Sequence, residues 1–401
     1  MPPADTLPAA ATRATYRSAR GAGVVVDGTE TVGWRTVGTR ARHLALGLSA
    51  AGIGPGCRVD VALPPSVEAA VADLAVTSTG ATLGLGRSQV GETTGRPLRL
   101  TAEGLTGPAG TASVAALSAG GVEVDEAEPD RFERLVASVD PAAVLIDERG
   151  PGGARLRLDH RSAADVLSSL TRALAGAPPD GEVRVLVDGT WSTAADRLVG
   201  LWWPLISGAS TCVGSARTLP QHLVAARATV VVAGGEAWAE VTAELRAAPR
   251  IRPGSRLERL TLGTGRSAVA GEPVGRLAAL ARRAASAAVM TGVLADLGLT
   301  SCTCALAVGP LDEPDRRDLL AAGVPLAAAW VPDGAAMPVT MTMTGPGSAD
   351  RSAGRPLPGW RVTVDDGGAV VVDGPGITAG ATGRRGRLDG TGRLWLREDR
   401  R

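Results

Sequence analysis

Val32-Gly-Trp-Arg-Thr36, Leu44-Ala-Leu-Gly-Leu48 and Gly52-Ile-Gly-Pro-Gly-Cys-Arg-Val-Asp-Val-Ala-Leu-Pro64 decide the fold, because read in order they alternate strand, helix, turn and strand. Upstream, Gly23–Val26 and Thr31–Trp34 flank an Asp27-Gly28 pair, which predicts a tight hairpin. A helix follows, with Thr36 as its expected N-cap, Ala41, Leu44, Ala45 and Leu48 at helical spacing, and Gly52 in a left-handed cap. Gly52-x-Gly54-x-Gly56 is not a dinucleotide loop, because it follows a helix and precedes a strand, the reverse of what a phosphate at a helix N-terminus requires.

Working outward, Arg58–Leu63 reads as a strand and Val67–Val76 as a second helix. Further strands are expected at Ala143–Ile146, Val183–Val187, Ser210–Val213, Thr229–Ala233 and Thr303–Val308, most of them followed by helical stretches. That alternation predicts an α/β protein with a buried, largely parallel sheet. Near the end, Trp360–Val364 and Ala369–Val372 read as an antiparallel hairpin. Weakly periodic stretches at 84–124 and 245–289 are expected to be surface segments.

Composition narrows the function. With a formal net charge of +1 over 401 residues there is no field to hold a polyanion, so nucleic acid is excluded as a partner. No apolar run reaches the roughly 20 residues of a membrane span and no signal-peptide core is visible, so a cytoplasmic protein is expected. Cys57, Cys212, Cys302 and Cys304 lack metal-site spacing and read as small apolar residues, so no metal ligand set is assigned. The chain has no lysine and no asparagine, so every phosphate-directed cation must be an arginine.

The stretch 32–63 resembles the opening of acyl-CoA synthetases of the adenylate-forming (AMP-binding) superfamily, long-chain fatty acyl type. Four further segments are similar in the same order: Asp125–Arg161, Asp196–Ala209 with Thr229–Trp238, Val308–Leu326, and Gly354–Leu396. The resemblance implies the layered α/β fold of that superfamily's N-terminal domain over 1–345, with a small β-rich subdomain over 346–401. The family's C-terminal lid, with its second lysine, has no counterpart before Arg401.

It also implies where ATP and magnesium are handled, and there the sequence departs from the pattern. The family's phosphate loop corresponds to Asp147–Arg155, where Gly150, Gly152 and Gly153 keep a tight turn, Arg155 is a candidate anion ligand and Ala154 stands at the lysine. Asp147 and Glu148 put carboxylates where phosphates sit. Gly91–Pro97 looks more like the loop but lies in the wrong place, and which of the two is its remnant stays open. Thr193 occupies the position of the family's histidine. Trp330 is the candidate base-stacking aromatic, Asp333 a candidate shifted metal ligand, and Gly334 replaces the magnesium-linked glutamate. Arg384 replaces the aspartate that accepts hydrogen bonds from the ribose hydroxyls, a role no guanidinium fills. Thr229–Trp238 follows the pattern of an acyl-pocket wall, and His43, His160 and His222 read as structural or solvated.

The expectation is a catalytically impaired acyl-CoA synthetase-like protein that binds a fatty acyl ligand or a partner protein. The alternatives are a divergent, active long-chain fatty acid–CoA ligase using arginine countercharge, and an interaction protein or decayed homologue.

Overall fold

A computed structural model of the chain describes residues 6–17, 21–85, 98–108, 110–149, 155–174, 182–189, 191–214, 218–251, 255–269, 289–332, 337–342, 352–375 and 377–397, with 275, 277, 279, 280, 284 and 335. Among them the strands form three sheets. The largest runs in the order Arg355–Pro356, Thr340–Met341, Leu326–Trp330, Cys304–Val308, Val230–Gly234, Arg184–Val187, Ser210–Val213, Gly23–Val26, Glu30–Gly33. From Leu326–Trp330 to Gly23–Val26 the neighbours are parallel, as the near-continuous apolar strands predict. A seven-stranded sheet has Arg58–Val61, Thr82–Leu85 and Val144–Arg149 at its parallel centre. A four-stranded antiparallel sheet, starting with the expected hairpin Arg361–Val364 and Ala369–Gly374, closes the chain. Arg355–Pro356 pairs with Thr340–Met341, so residues after 346 also build the edge of the largest sheet. The expected boundary at 345/346 lies outside the described residues.

The Asp27-Gly28 turn has both residues at positive φ, +46° and +71°, as a tight hairpin needs. The helix Trp34–Ala50 starts two residues before the expected cap at Thr36, and Gly33 stands at its N-cap without a side-chain bond. Backbone carbonyls hold its first residue instead: Trp34 donates its backbone N–H to Ala22 O and its indole N–H to Ala209 O at 2.8 Å. The helix ends as expected at Gly52, φ +83°, with Ile53 N bonded to Leu48 O.

The stretch 84–124 lies largely at the surface among its described residues, as its weak periodicity suggests, but it is not without regular structure. It contains three short strands and the helix Val114–Ala127, which packs on Trp34–Ala50 through facing glycines. A Cβ on Gly47 would lie 1.9 Å from Leu117 O, and one on Gly121 would lie 1.7 Å from His43 O. Two helices this close need glycine, and glycine weakens the hydrophobic periodicity that would have announced them.

The two large sheets are tied by a buried ion pair. Arg197 bonds to Asp73 on the helix Val67–Ser78, to Val61 O at 3.0 Å and to Trp191 O at 2.7 Å. Both side chains are fully enclosed. No helix among the described residues is long and apolar enough to cross a membrane.

Candidate functional site

A cavity of about 1080 Å³ opens at the carboxyl ends of the parallel strands Cys304–Val308 and Leu326–Trp330, where open α/β sheets place their ligands. Trp330, the last residue of its strand, offers a half-buried indole. Gly309 (φ +83°) turns the chain from the first strand into Pro310 and Leu311, and the helix Glu313–Ala322 begins at the rim. This helix brings Arg316 and Arg317 into the lining, with Arg317 ion-paired to Glu313 one turn earlier. Thr382 and Arg384, from the strand Ile377–Leu388, also line it.

One approach fixes the wall. The helix Gly235–Ala247 starts where a Cβ on Gly235 would lie 1.6 Å from Pro310 O, so only glycine lets its first turn meet the segment that shapes the cavity.

The described ends of the expected phosphate segment are strands. Val144–Arg149 and Arg155–Asp159 are antiparallel strands pairing Asp147 with Arg157, Glu148 with Leu156, and Arg149 with Arg155. Its flanks are therefore occupied by a ladder. Gly150, Gly152, Gly153 and Ala154 lie outside the described residues, as do Gly91–Pro97.

Strand alternation sends Asp147 and Glu148 to opposite faces. Asp147 is buried against Arg58 at 3.1 Å, and Arg58 also holds Asp60 at 3.0 Å, so its charge is compensated inside the seven-stranded sheet. Glu148 Oε2 accepts the backbone N–H of Ala194 at 2.7 Å, at the start of the helical run 194–207. Thr193 is the N-cap of that run, its hydroxyl accepting from Asp196 N at 3.1 Å. Burial pushes the Glu148 carboxyl above its usual range, and the neighbouring Asp196 pushes the same way. Burial likewise raises Asp196.

The structure thus brings Trp330 and Arg384 into one cavity and places Glu148 and Thr193 together at a helix start. Asp333 and Gly334 lie outside the described residues, and no group of three or more His, Cys, Asp or Glu among the described residues is arranged to hold a metal. Trp238 is fully buried and donates its indole N–H to Leu306 O at 3.0 Å, a partner on the strand Cys304–Val308 that the strand-and-tryptophan pattern does not reveal. His160 is fully buried with neither ring nitrogen hydrogen-bonded, and burial lowers it to about 4. Sequence reading assigned no role to Arg316 and Arg317, although Glu313-x-x-x-Arg317 just after a strand–glycine turn marks a rim helix with an internal ion pair. At the described edge of the phosphate position Glu148 puts a carboxylate on the Ala194 amide.

Residues 12–85 match the sequence profile of the AMP-binding enzyme family. No curated protein sequence is significantly similar to the chain. Solved structures are similar over nearly all of it. The O-succinylbenzoate coenzyme A synthetase of Bacillus subtilis in complex with AMP has a TM-score of 0.67 at 13% identity, covering 98% of this chain and 78% of its own. Coronafacic acid ligase from Pectobacterium brasiliense gives 0.65 at 12% identity, covering 98% and 77%. The N-terminal domain of FACL13 from Mycobacterium tuberculosis gives 0.65 at 15% identity, covering 98% and 100%.

Proposed function

We propose that this chain, whose fold is that of the N-terminal domain of adenylate-forming enzymes with a small β-rich part at its C-terminal end, is an acyl- or aryl-CoA synthetase-like protein that binds a nucleotide-type ligand without forming an acyl adenylate. The carrying observation is Glu148 bonded to Ala194 N. Glu148 stands in the segment that corresponds to the family's phosphate loop, and its carboxylate occupies a helix-start amide of the kind that receives anions. Like charges 4 Å apart repel by about 4 kcal/mol at an effective dielectric constant of about 20, so a triphosphate meeting this group loses most of what such a site offers. Adenylation needs preorganised positive charge around the α-phosphate, and Ala154, Thr193 and Gly334 supply none.

The cavity itself supports ligand binding. It is large enough for a nucleotide, and Trp330, Arg316 and Arg384 all line it. Calorimetry with AMP and with ATP, each with and without magnesium, tests both halves of the reading. AMP binds, ATP binds no more tightly than AMP, and Trp330→Ala weakens AMP about tenfold, the scale of one lost base stack. Carboxylate-dependent ATP–pyrophosphate exchange by the purified protein overturns the impairment. The three arginines of the cavity favour one second reading, an enzyme using arginine countercharge, which the same exchange assay decides.

A further inference from the structure

We propose that copies of this chain associate through an arginine-rich face of the four-stranded sheet, which receives the acidic helix Val114–Ala127 of a second copy.

The formal net charge of +1 hides two opposite segments. Residues 384–397 hold five arginines and one carboxylate, and residues 123–133 hold six carboxylates and one arginine, so each carries a local field that the whole chain does not.

Strand pairing gathers the arginines. Gly386 pairs with Leu396 and Arg387 with Trp395, and Arg397 N donates to Arg385 O at 2.8 Å. Alternation therefore puts Arg385, Arg387, Arg397 and Trp395 on one face at the Leu394–Leu396 edge of the sheet. Arg387 lies 5.0 Å over the Trp395 ring, as a shared face requires. All three arginines are exposed, and none forms an ion pair among the described residues. Nearby carboxylates are turned elsewhere: Asp389 accepts the Trp395 indole N–H at 2.9 Å, and Asp373 stands opposite Arg361. Arg385 and Arg397, directly across from each other, repel, and the fold leaves that repulsion unanswered from within.

The acidic segment is open in the same way. Arg42 engages Asp125 and Glu133, and Glu128 engages Arg131 and Arg134. Glu123 and Glu126, one turn apart on Val114–Ala127, are exposed and make no ion pair among the described residues. Carboxylates at this spacing stand about 5–6 Å apart and arginines on neighbouring strands about 5 Å apart, so one pair can meet the other. Tryptophan and arginine are also the side chains in which protein interfaces are enriched. Every copy carries both members of the contact, which favours a second copy as the occupant over an anionic lipid surface or an unrelated acidic peptide. A two-fold arrangement uses each patch once per copy and closes, whereas a head-to-tail arrangement propagates, and both raise the mass above that of one chain.

Sedimentation velocity of the whole chain tests this at about 20 mM and about 500 mM salt, either side of the range in which exposed charges become screened. At low salt the mass should exceed the 40.5 kDa of the monomer, and at high salt it should fall back to it. Arg385→Glu with Arg387→Glu, and separately Glu123→Arg with Glu126→Arg, should each be monomeric at low salt, because each sets like charges against each other. Mixed in equal amounts, the two variants should associate again, since every contact between them joins opposite charges. Thermal melts establish that the variants fold, and Arg385→Gln with Arg387→Gln, expected to weaken association about tenfold, replaces a reversal that does not. A chain that is monomeric at low salt, an oligomer that salt and the variants leave unchanged, or a mixture that stays monomeric overturns the inference. A low-salt monomer that sediments with phosphatidylserine vesicles or binds a polyglutamate peptide gives the arginine face to that occupant and overturns it equally.

Discussion

Glu148 Oε2 accepts the backbone N–H of Ala194 at 2.7 Å, which places a side chain from one sheet on the first turn of a helix belonging to the other. The contact satisfies a helix-terminal donor but keeps a carboxylate buried, and its two consequences have opposite signs.

Removing the acceptor is expected to destabilise the fold. Glu148→Ala leaves Ala194 N without its partner and should cost about 1 kcal/mol in urea unfolding, as loss of a helix cap does.

Removing only the charge is expected to stabilise it. Burial raises the folded-state pKa of Glu148 above 4.5, so between 4.5 and that raised value the native state holds more protons than the unfolded one. Stability from this group is full below 4.5 and is lost as pH rises through the folded value. Glu148→Gln keeps an acceptor for Ala194 and should melt higher than the unaltered protein at pH 7, the gap closing near pH 4 in melts run across that range.

Arg197 and Asp73 are expected to behave as a unit. Arg197→Ala leaves the Asp73 carboxylate enclosed without its cation and should cost about 3–5 kcal/mol. Arg197→Met with Asp73→Leu should recover most of that, because two apolar side chains carry no desolvation penalty. A double-mutant cycle by urea denaturation measures the coupling, and additive losses would show that the pair is not coupled.

His160 has the reverse pH signature to Glu148. Burial lowers it from 6.5 to about 4, so the unfolded chain takes up a proton in that window before the native state does. Stability from the neutral ring is therefore full above about pH 6.5 and falls as pH drops towards 4, by an amount on the order of 3 kcal/mol. His160→Leu should remove this part of the slope, read as unfolding free energy at pH 4, 5, 6 and 7.

Gly235→Ala tests the wall of the cavity. Its Cβ would lie 1.6 Å from Pro310 O, and the displacement is expected to cost about 1–3 kcal/mol and to weaken AMP binding in the same protein. An unchanged melt with unchanged affinity would show that the helix start and the 310 segment are not in contact.

Much of the fold was legible because each signal is local. Asp27-Gly28, the heptad-like spacing of Ala41, Leu44 and Leu48, and the all-apolar Val230–Ala233 each specify an element through their own sterics and burial. The helix starts before Thr36 because the N–H of its first residue, Trp34, is met by Ala22 O rather than by a neighbouring side chain. The helix Val114–Ala127 was missed because glycines at its contact left no apolar stripe to read.

The candidate site divides along the same line. Sequence alone determined that no lysine ammonium is present, that Ala154, Thr193 and Gly334 carry no phosphate-directed charge, and that Arg384 offers no acceptor, since these are properties of side-chain chemistry. Tertiary structure decided where the remaining charges act. It paired Asp147 with Arg58 and Glu148 with Ala194, put Trp238 in the core, and gathered Trp330, Arg316 and Arg384 around one cavity. Those outcomes depend on which residues distant in the chain become neighbours, and desolvation and hydrogen bonding act only between groups that the fold has already brought together.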